Sequence, residues 1–366
     1  MKTLGLIVNP VAGMGGSVGL KGTDGGMYEK AVELGARPVS PSRVREFLDH
    51  LHASDDLRWL AAPGPMGADY LLEAGADVVI VGQLDDRPGP RDTRRIAREM
   101  MDAGAELIVF AGGDGTARDM ADAIGASVPV VAIPAGVKIY SAVFAFSAKS
   151  AAGLVDAFLA GAEVGEEEVL DIDEAAFREG RVDSRHYGFL LVPEDEKFLQ
   201  AGKDSSASGD MSAEVREELA FAVIDQMRDD ALYLLGSGTT IRLVAEALDL
   251  PKTLLGIDAV RTRHPVGTDL NEASILALLD RYPDAYIVVT PLGGNGFIFG
   301  RGNKQFTPEV LRRVGVDRII ILASRSKLMG LSDLHVDTGD EKLDQLLCGY
   351  RDVIVGHGHT KLMRVR

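Results

Sequence analysis

The sequence has little cysteine, little tryptophan and no excess of positive charge. Its 366 residues include one Cys (Cys348) and one Trp (Trp59), and 39 basic residues stand against 55 acidic ones, for a formal net charge of −16. A single cysteine cannot build a disulfide framework or a cysteine-based zinc site. The acidic excess argues against a protein that wraps nucleic acid, because neutralising phosphates requires clustered Lys and Arg.

Long hydrophobic runs are also missing. No apolar run reaches the roughly 18–20 residues that a membrane helix requires, and the stretch before Asn9 is too short for the core of a signal peptide. We therefore expect a soluble, cytoplasmic protein with neither a membrane nor a nucleic acid as partner. Hydrophobic residues still make up 46% of the chain, which argues against disorder. The length favours two domains, because single cores stop growing near about 250–300 residues.

Glycine, in contrast, is abundant and clustered. The chain has 42 glycines, and most of the clusters directly follow short apolar runs rich in Val, Ile and Leu. The runs are Leu4–Val8, Leu107–Ala111, Ala231–Leu235 and Tyr286–Thr290. Because these runs do not alternate with polar residues, they predict strands that are buried on both faces, as in a parallel sheet covered by helices. Ligands of such sheets bind at the carboxyl ends of the strands, which is where the glycines lie.

The alternation of strand and helix patterns predicts an α/β protein with two domains. Residues 1–150 are expected to form a Rossmann-like nucleotide-binding domain, and residues 151–300 a mixed, strand-rich domain that closes the cleft. The pattern leaves open whether the segment from about 300 to 366 packs back on the first domain. The polar segment 194–212 is predicted to be a mobile loop.

The sharpest motif is Gly112-Gly113-Asp114-Gly115-Thr116, which lies between a predicted strand and a predicted helix. Glycines allow a ligand to approach the backbone closely, and the start of the helix offers N–H groups to a phosphate. Asp114 is then placed to accept a proton from a substrate hydroxyl or to bind Mg²⁺ that is coordinated by phosphates. The alternative is a tight turn with Asp114 as the N-cap of the helix.

Two further loops at the carboxyl ends of the predicted strands carry candidate phosphate or ribose contacts. The first loop contributes Asn9 and Gly13 and continues into Lys21, Gly22, Thr23 and Asp24. The loop after the strand Val130–Pro134 contributes the cation Lys138, with Ser141 as a weaker companion. The alternatives are a flexible surface loop for the first and a solvated lysine for the second.

The second half of the chain has two such loops. Ser237, Gly238 and Thr239 join a strand to a helix, so they either contact a ligand or cap the helix. Asn295, Arg301 and Asn303 lie among glycines, either as contacts to an amide, ribose or phosphate or as parts of a plain hairpin. The sequence predicts no metal site held by protein ligands alone, because His357 and His359 have no third ligand in view.

Together these motifs resemble the superfamily of NAD kinases and diacylglycerol kinases. Three segments narrow the resemblance to ATP-NAD kinase-like proteins of the AcoX type, and they are Gly19–Gly25, Ile133–Lys138 and Gly300–Gln305. The similarity runs from about Leu4 to Tyr350. The resemblance implies an N-terminal α/β domain and a second domain, with Asp114 near the acceptor hydroxyl. It also implies a homo-oligomer.

The resemblance implies a kinase that uses ATP and phosphate-bound Mg²⁺ to phosphorylate NAD to NADP. One departure keeps a second possibility open, a kinase of another hydroxyl-bearing metabolite. NAD kinases carry an Asn-Glu pair before a Gly-Ser-Thr-Ala-Tyr segment, whereas here Asn271-Glu272 follows Gly236-Ser237-Gly238-Thr239-Thr240. A third possibility is a nucleotide-binding regulatory protein without catalytic activity.

Overall fold

The structure is a computed structural model. It describes residues 2–16, 18–19, 27–52, 57–85, 88–136, 139–172, 184–195, 213–253, 256–292 and 296–366. The chain divides into two compact units, one formed by Met1–Met14 and Gly22–Gly202 and the other by Gly15–Lys21 and Lys203–Arg366. The two units are described separately below.

The first unit is built from alternating strands and helices. Its strands are β1 (Lys2–Val8), β2 (Leu57–Ala61), β3 (Val78–Ile80), β4 (Leu107–Gly112), β5 (Val130–Pro134), β6 (Val164–Ile172) and β7 (Ser184–Pro193). Its helices are α1 (Met27–Glu33), α2 (Ser40–Asp49), α3 (Ala68–Glu73), α4 (Pro90–Asp102), α5 (Asp114–Ile124) and α6 (Ala148–Leu159).

The first five strands form a parallel sheet in the order β3-β2-β1-β4-β5. Strands β4 and β5 are buried along their whole length, as continuous apolar runs predict for a sheet covered on both faces. One face packs on apolar side chains of α2 and α6, and the other packs on those of α4 and α5. This order is the doubly wound arrangement of Rossmann-like domains, so the predicted fold class of the first domain is confirmed.

The first unit continues beyond the boundary that the sequence suggested near residue 150. Helix α6 buries its apolar face in the core of the sheet, and the antiparallel hairpin β6–β7 packs Val169, Leu190 and Val192 on the opposite face. These contacts keep the described residues up to Asp195 with the first unit. The segment from about 300 to 366, for which the sequence pattern leaves packing on the first domain open, belongs to the second unit.

The second unit is a mixed, strand-rich α/β unit, as expected. Its strands are β8 (Leu232–Leu235), β9 (Ile257–Arg261), β10 (His264–Leu270), β11 (Ala285–Val289), β12 (Phe297–Phe299), β13 (Ile319–Leu322), β14 (His335–Val336), β15 (Gly349–Gly356) and β16 (His359–Val365). Its helices are α7 (Ala213–Ile224), α8 (Thr239–Ala247), α9 (Glu272–Arg281), α10 (Pro308–Val314), α11 (Arg325–Met329) and α12 (Glu341–Leu347).

The large sheet of this unit has the order β10-β9-β8-β11-β13-β15-β16. Strands β8, β11, β13 and β15 run parallel, and the flanking strands are antiparallel to their neighbours. Apolar clusters cover both faces of the parallel strands. The run Phe297–Phe299, for which a plain hairpin is one interpretation, pairs in parallel with β14, and Phe297 also forms an antiparallel bridge with Leu292. The predicted loop 194–212 lies outside the described residues from 196 onward.

Candidate active site

The candidate active site lies where the strand order of the first sheet reverses. Strands β1 and β4 are parallel neighbours, and Val8 pairs with Ala111 close to the carboxyl ends of both. The chain continues from β1 into Asn9 and from β4 into Gly113. In doubly wound sheets this reversal leaves a crevice at the strand ends, where ligands bind.

The first two glycines of the motif are required by the packing of the loop itself. A Cβ atom on Gly112 would lie 2.3 Å from Oγ1 of Thr116. One on Gly113 would lie 3.1 Å from Cα of Gly136, which in turn has room for no side chain because its own Cβ would lie 2.7 Å from Cα of Gly113. Gly13 has a φ of +78°, and a Cβ there would lie 2.0 Å from the carbonyl oxygen of Ala135. Three loops therefore meet at backbone distance because these residues have no side chain.

Asp114 is the first residue of α5, and its carboxylate is fixed by the loop that follows β5. Its Oδ2 accepts the backbone N–H of Tyr140 and its Oδ1 accepts the backbone N–H of Ser141, both at 2.9 Å. The N-cap position belongs to Gly113, and no side chain caps the helix. Asp114 thus holds a defined orientation at the start of the helix instead of acting as its cap.

Asn9 and Thr116 connect the first loop to the first turn of α5. The Asn9 Nδ2 donates to Oγ1 of Thr116 at 3.0 Å, and the Asn9 Oδ1 accepts the N–H of Val11 at 3.2 Å. The Ser40 hydroxyl donates to the carbonyl of Asn9 at 2.7 Å. Asn9 and Thr116, which are both predicted to contact phosphate, therefore also hold the loop in its conformation.

Tyr140 and Ser141 connect the carboxylate to the rest of the unit. Ser141 is fully buried, and its hydroxyl accepts the N–H of Leu170 in β6 at 3.0 Å. Burial, and secondarily the charge of Asp114, raises the pKa of the Tyr140 phenol well above its ordinary value. Tyr140 is consequently neutral across the physiological range of pH. No sequence motif indicates Tyr140, because its contribution is a backbone N–H, which any residue could supply.

Arg118 was not singled out from the sequence either. It lies on α5 one turn after Asp114, and its Nη2 would be 3.7 Å from a Cβ placed on Gly115. Residues four apart lie on the same face of a helix, so the spacing of Asp114 and Arg118 was an available signal. Gly115 itself is exposed. Several predicted contacts lie outside the described residues, namely Lys21, Gly22, Thr23, Asp24, Lys138 and Asn295.

The predicted site residues of the second unit form a separate arrangement at the end of β8. The Ser237 N–H and hydroxyl both donate to Oδ1 of Asn303, at 2.9 and 2.8 Å, and the Asn303 Nδ2 donates to the carbonyl of Ile298 at 3.1 Å. Ser237 and Asn303 are buried. Gly238, with a φ of +115°, and the exposed Thr239 begin α8 beside this pair.

Arg301 is buried in the second unit as well. Its guanidinium carbon lies 4.4 Å from the centre of the Phe297 ring, which is cation–π distance. The residue is 6% exposed. The described residues contain no cluster of three or more His, Cys, Asp or Glu side chains that could hold a metal ion. Among the described helices, none has both the length and the hydropathy to cross a bilayer.

Two family models match the chain in succession. The ATP-NAD kinase N-terminal domain matches residues 4–163, and the ATP-NAD kinase C-terminal domain matches residues 228–365. Together they span about four fifths of the chain. The chain belongs to the NAD kinase superfamily. Its members are small-molecule kinases, so the resemblance seen in the motifs is confirmed at the level of the superfamily.

One solved structure with similarity to this NAD kinase superfamily member is a diacylglycerol kinase from Bacillus anthracis str. Sterne. The match covers 52% of the present chain and 62% of that chain, with 15% sequence identity and a TM-score of 0.20. The present chain therefore spans about three fifths of that protein's length. No curated protein matches the sequence.

Proposed function

We propose that this NAD kinase superfamily member transfers the γ-phosphoryl group of ATP to the 2′-hydroxyl of the adenosine ribose of NAD, giving NADP. The family models support ATP and NAD as substrates, because both halves match domains of ATP-NAD kinases. The observation that carries the proposal is the position of Asp114 at the reversal of strand order, with its carboxylate held by two backbone donors.

In this reaction Asp114 acts as the general base. The acceptor oxygen forms a bond to the γ-phosphorus while the bond from that phosphorus to the β–γ bridging oxygen breaks, and ADP leaves with the electron pair. The hydroxyl proton passes to the carboxylate of Asp114. A carboxylate offers about four acceptor positions, so two backbone donors can orient Asp114 while a substrate hydroxyl still donates to it.

The surrounding loops would bind the phosphates. Gly112, Gly113, Gly115 and Thr116 would form the cradle around the start of α5, where first-turn backbone N–H groups favour an anion; the N–H of Thr116 itself donates to the carbonyl of Gly113 at 2.9 Å. Asn9 and Gly13 belong to the loop that faces this helix, and the backbone N–H of Ser141 orients the carboxylate of Asp114. We extend the proposal to Lys21, Gly22, Thr23, Asp24 and Lys138 as further phosphate or ribose contacts.

The residues fit Mg²⁺ that arrives on the nucleotide. Mg²⁺ usually binds to one or two carboxylates and to substrate phosphates, so the alternative role of Asp114, at the first position of α5, is to bind this Mg²⁺ instead of acting as the base. Bound there, Mg²⁺ would neutralise charge on the phosphates of ATP. In the second unit, Ser237 and Asn303 would hold the loop in which Gly238 and Thr239 contact a substrate. Asn295 and Arg301 are further candidate contacts to an amide, ribose or phosphate.

The test is a kinase assay with purified protein, Mg²⁺·ATP and NAD, with NADP measured enzymatically. We expect NADP formation by the wild type and at least about a 100-fold lower kcat for Asp114→Asn, because general-base contributions are typically 10²–10⁴-fold. Asp69→Asn on α3 is the matched control. Asp69 is exposed, and its substitution removes the same charge away from the candidate site. Wild-type kinetics in Asp114→Asn, with an intact fold by circular dichroism, would remove Asp114 from the mechanism.

One observation favours a different acceptor as the second candidate. The Asn271 side chain accepts the N–H of Ser274 and caps α9, and Glu272 accepts the hydroxyl of Thr307. The Asn-Glu pair of this chain thus stabilises the fold, which leaves dinucleotide recognition to other residues. Phosphorylation of another hydroxyl-bearing metabolite, with no product from NAD, would select this second candidate.

A further inference from the structure

Gly115 differs from the other glycines of its motif, because nothing in the fold requires it. A Cβ at Gly115 would make only an ordinary contact of 3.7 Å with Arg118, and its φ is not in the left-handed region. It is exposed and lies in the second position of α5. Glycine destabilises a helix relative to alanine. The missing side chain therefore leaves open surface on the first turn of α5, next to a guanidinium.

Arg118 is directed towards this surface. Helical side chains tilt towards the N-terminus of their helix, and the Nη2 of Arg118 lies over the first turn accordingly. The guanidinium carbon is 5.9 Å from the centre of the Tyr187 ring in β7. The Tyr187 hydroxyl donates to Oδ1 of Asp122 at 2.9 Å. The Tyr187 hydroxyl is thus anchored on α5 through Asp122, and its ring lies beside the Arg118 guanidinium.

We propose that Arg118 binds a phosphate group of the nucleotide, lying against the open backbone of Gly115, and that Tyr187 positions it. This inference rests on the proposed kinase function and names the side-chain cation of its phosphate site. A guanidinium offers a planar fork of N–H donors that matches two oxygens of one phosphate. Asp114 and Arg118 share one helix face, so one turn of α5 would present both the base for the acceptor and the cation for the phosphate.

Two arginines of the adjacent helix α4 contact α5 at other positions. Arg94 pairs with Asp119 at 2.6 Å, and the Arg98 guanidinium donates to the carbonyls of Asp122 and Ala123 at the far end of α5. Arg98 is therefore a matched control, since it contacts the same helix away from its first turn.

The experiment measures binding by calorimetry on the full chain, with Mg²⁺·ATP and with adenosine, which lacks phosphate. In Arg118→Gln we expect the Kd for Mg²⁺·ATP to rise by about 10- to 100-fold, as for loss of a charge-assisted hydrogen bond. Adenosine affinity should stay within about twofold, and Arg118→Lys should recover part of the loss. Arg98→Gln should bind Mg²⁺·ATP like the wild type.

Two further variants separate binding from folding. Gly115→Ala should weaken Mg²⁺·ATP binding while its thermal midpoint equals or exceeds that of the wild type, because alanine favours the helix. Tyr187→Phe keeps the ring and should bind within about twofold of the wild type. Tyr187→Leu removes the ring and should weaken binding by about 2- to 5-fold, as expected for an exposed cation–π contact, with a larger effect on KM than on kcat.

These outcomes distinguish the inference from the proposed function. Unchanged Mg²⁺·ATP binding in Arg118→Gln and Gly115→Ala overturns the inference, even if NADP is formed. Equal losses for ATP and adenosine also overturn it, since they indicate a general effect on the fold. A wild type that fails to bind Mg²⁺·ATP overturns it as well. Arg118-dependent binding of ATP without phosphorylation of NAD would instead reject the NAD acceptor and retain Arg118.

Discussion

Gly112 shows at the scale of one residue how closely the candidate site is packed. We predict that Gly112→Ala lowers the free energy of unfolding by about 1–3 kcal/mol, the usual cost of inserting a methyl group into a packed region. The added Cβ would lie 2.3 Å from Oγ1 of Thr116, which is itself held by Asn9 at 3.0 Å. Urea denaturation followed by circular dichroism measures the change.

Gly115→Ala is the control, because the same substitution three residues later meets only an ordinary contact with Arg118. Equal unfolding midpoints for the Gly112 and Gly115 variants would contradict the predicted difference in stability between them. Such a result would mean that Thr116 and Asn9 shift at little cost.

At the scale of single residues, the sequence identified the motif but not the contribution of each of its residues. It could indicate that Gly112, Asp114 and Thr116 act together, because their order is distinctive. It could not separate glycines that the packing requires from Gly115, since that difference depends on atoms distant in the chain. It also could not show that the hydroxyl of Ser141 is bonded to β6, a contact 29 residues away.

At the scale of elements, the short strand β14 carries a histidine with an altered pKa. Burial lowers the pKa of His335 to about 4, with Arg301 and Arg366 adding to the effect and Asp333 opposing it. In the unfolded chain a histidine has a pKa near 6.5. Between pH 6.5 and 4 the unfolded state therefore binds more protons than the folded state, so stability falls as the pH is lowered through this window.

We predict that the free energy of unfolding of the wild type decreases by at most roughly 3 kcal/mol across this window from His335 alone. In His335→Gln this part of the pH dependence should disappear. His359→Gln is the control, because His359 is exposed at the start of β16. Urea titrations at pH 7 and 4.5 on the three proteins provide the comparison, and parallel losses in all three would contradict the assignment.

Elements with uninterrupted apolar runs were predictable, and edge strands were not. Strands β1, β4, β5 and β11 follow the predicted runs closely, because burial on both faces requires such runs. Strand β10 is almost entirely exposed and contains Pro265 and Gly267. Since an edge strand pairs on one side only, its sequence does not have to be apolar, and the pattern gave no strand there.

At the scale of the whole molecule, the single tryptophan reports on one unit. Trp59 lies in β2 and is buried in the core of the first unit. We predict that Phe110→Leu, in the first unit, lowers the midpoint of unfolding seen by tryptophan fluorescence. Phe299→Leu, in the second unit, should lower the midpoint seen by circular dichroism while leaving the fluorescence midpoint within error.

The two phenylalanines are a matched pair, because each is fully buried and each makes an edge-to-face contact with another phenylalanine. The expected loss is roughly 1–2 kcal/mol for each. Equal fluorescence shifts in both variants would show that the units unfold as one cooperative body. The homo-oligomer implied by the family resemblance stays a prediction, which light scattering on the purified protein would test.

The grouping of Gly15–Lys21 with the second unit has a consequence for synthesis of the chain. This segment leaves the ribosome about 180 residues before Lys203, where the rest of its unit begins. At roughly 5–20 residues per second, the delay is about 10–40 s. The five strands of the first sheet all precede residue 135, so that sheet can form during the delay. The described part of this loop therefore reaches its final packing only after its partners in the second unit, such as Asn271 beside Gly19, have been synthesised.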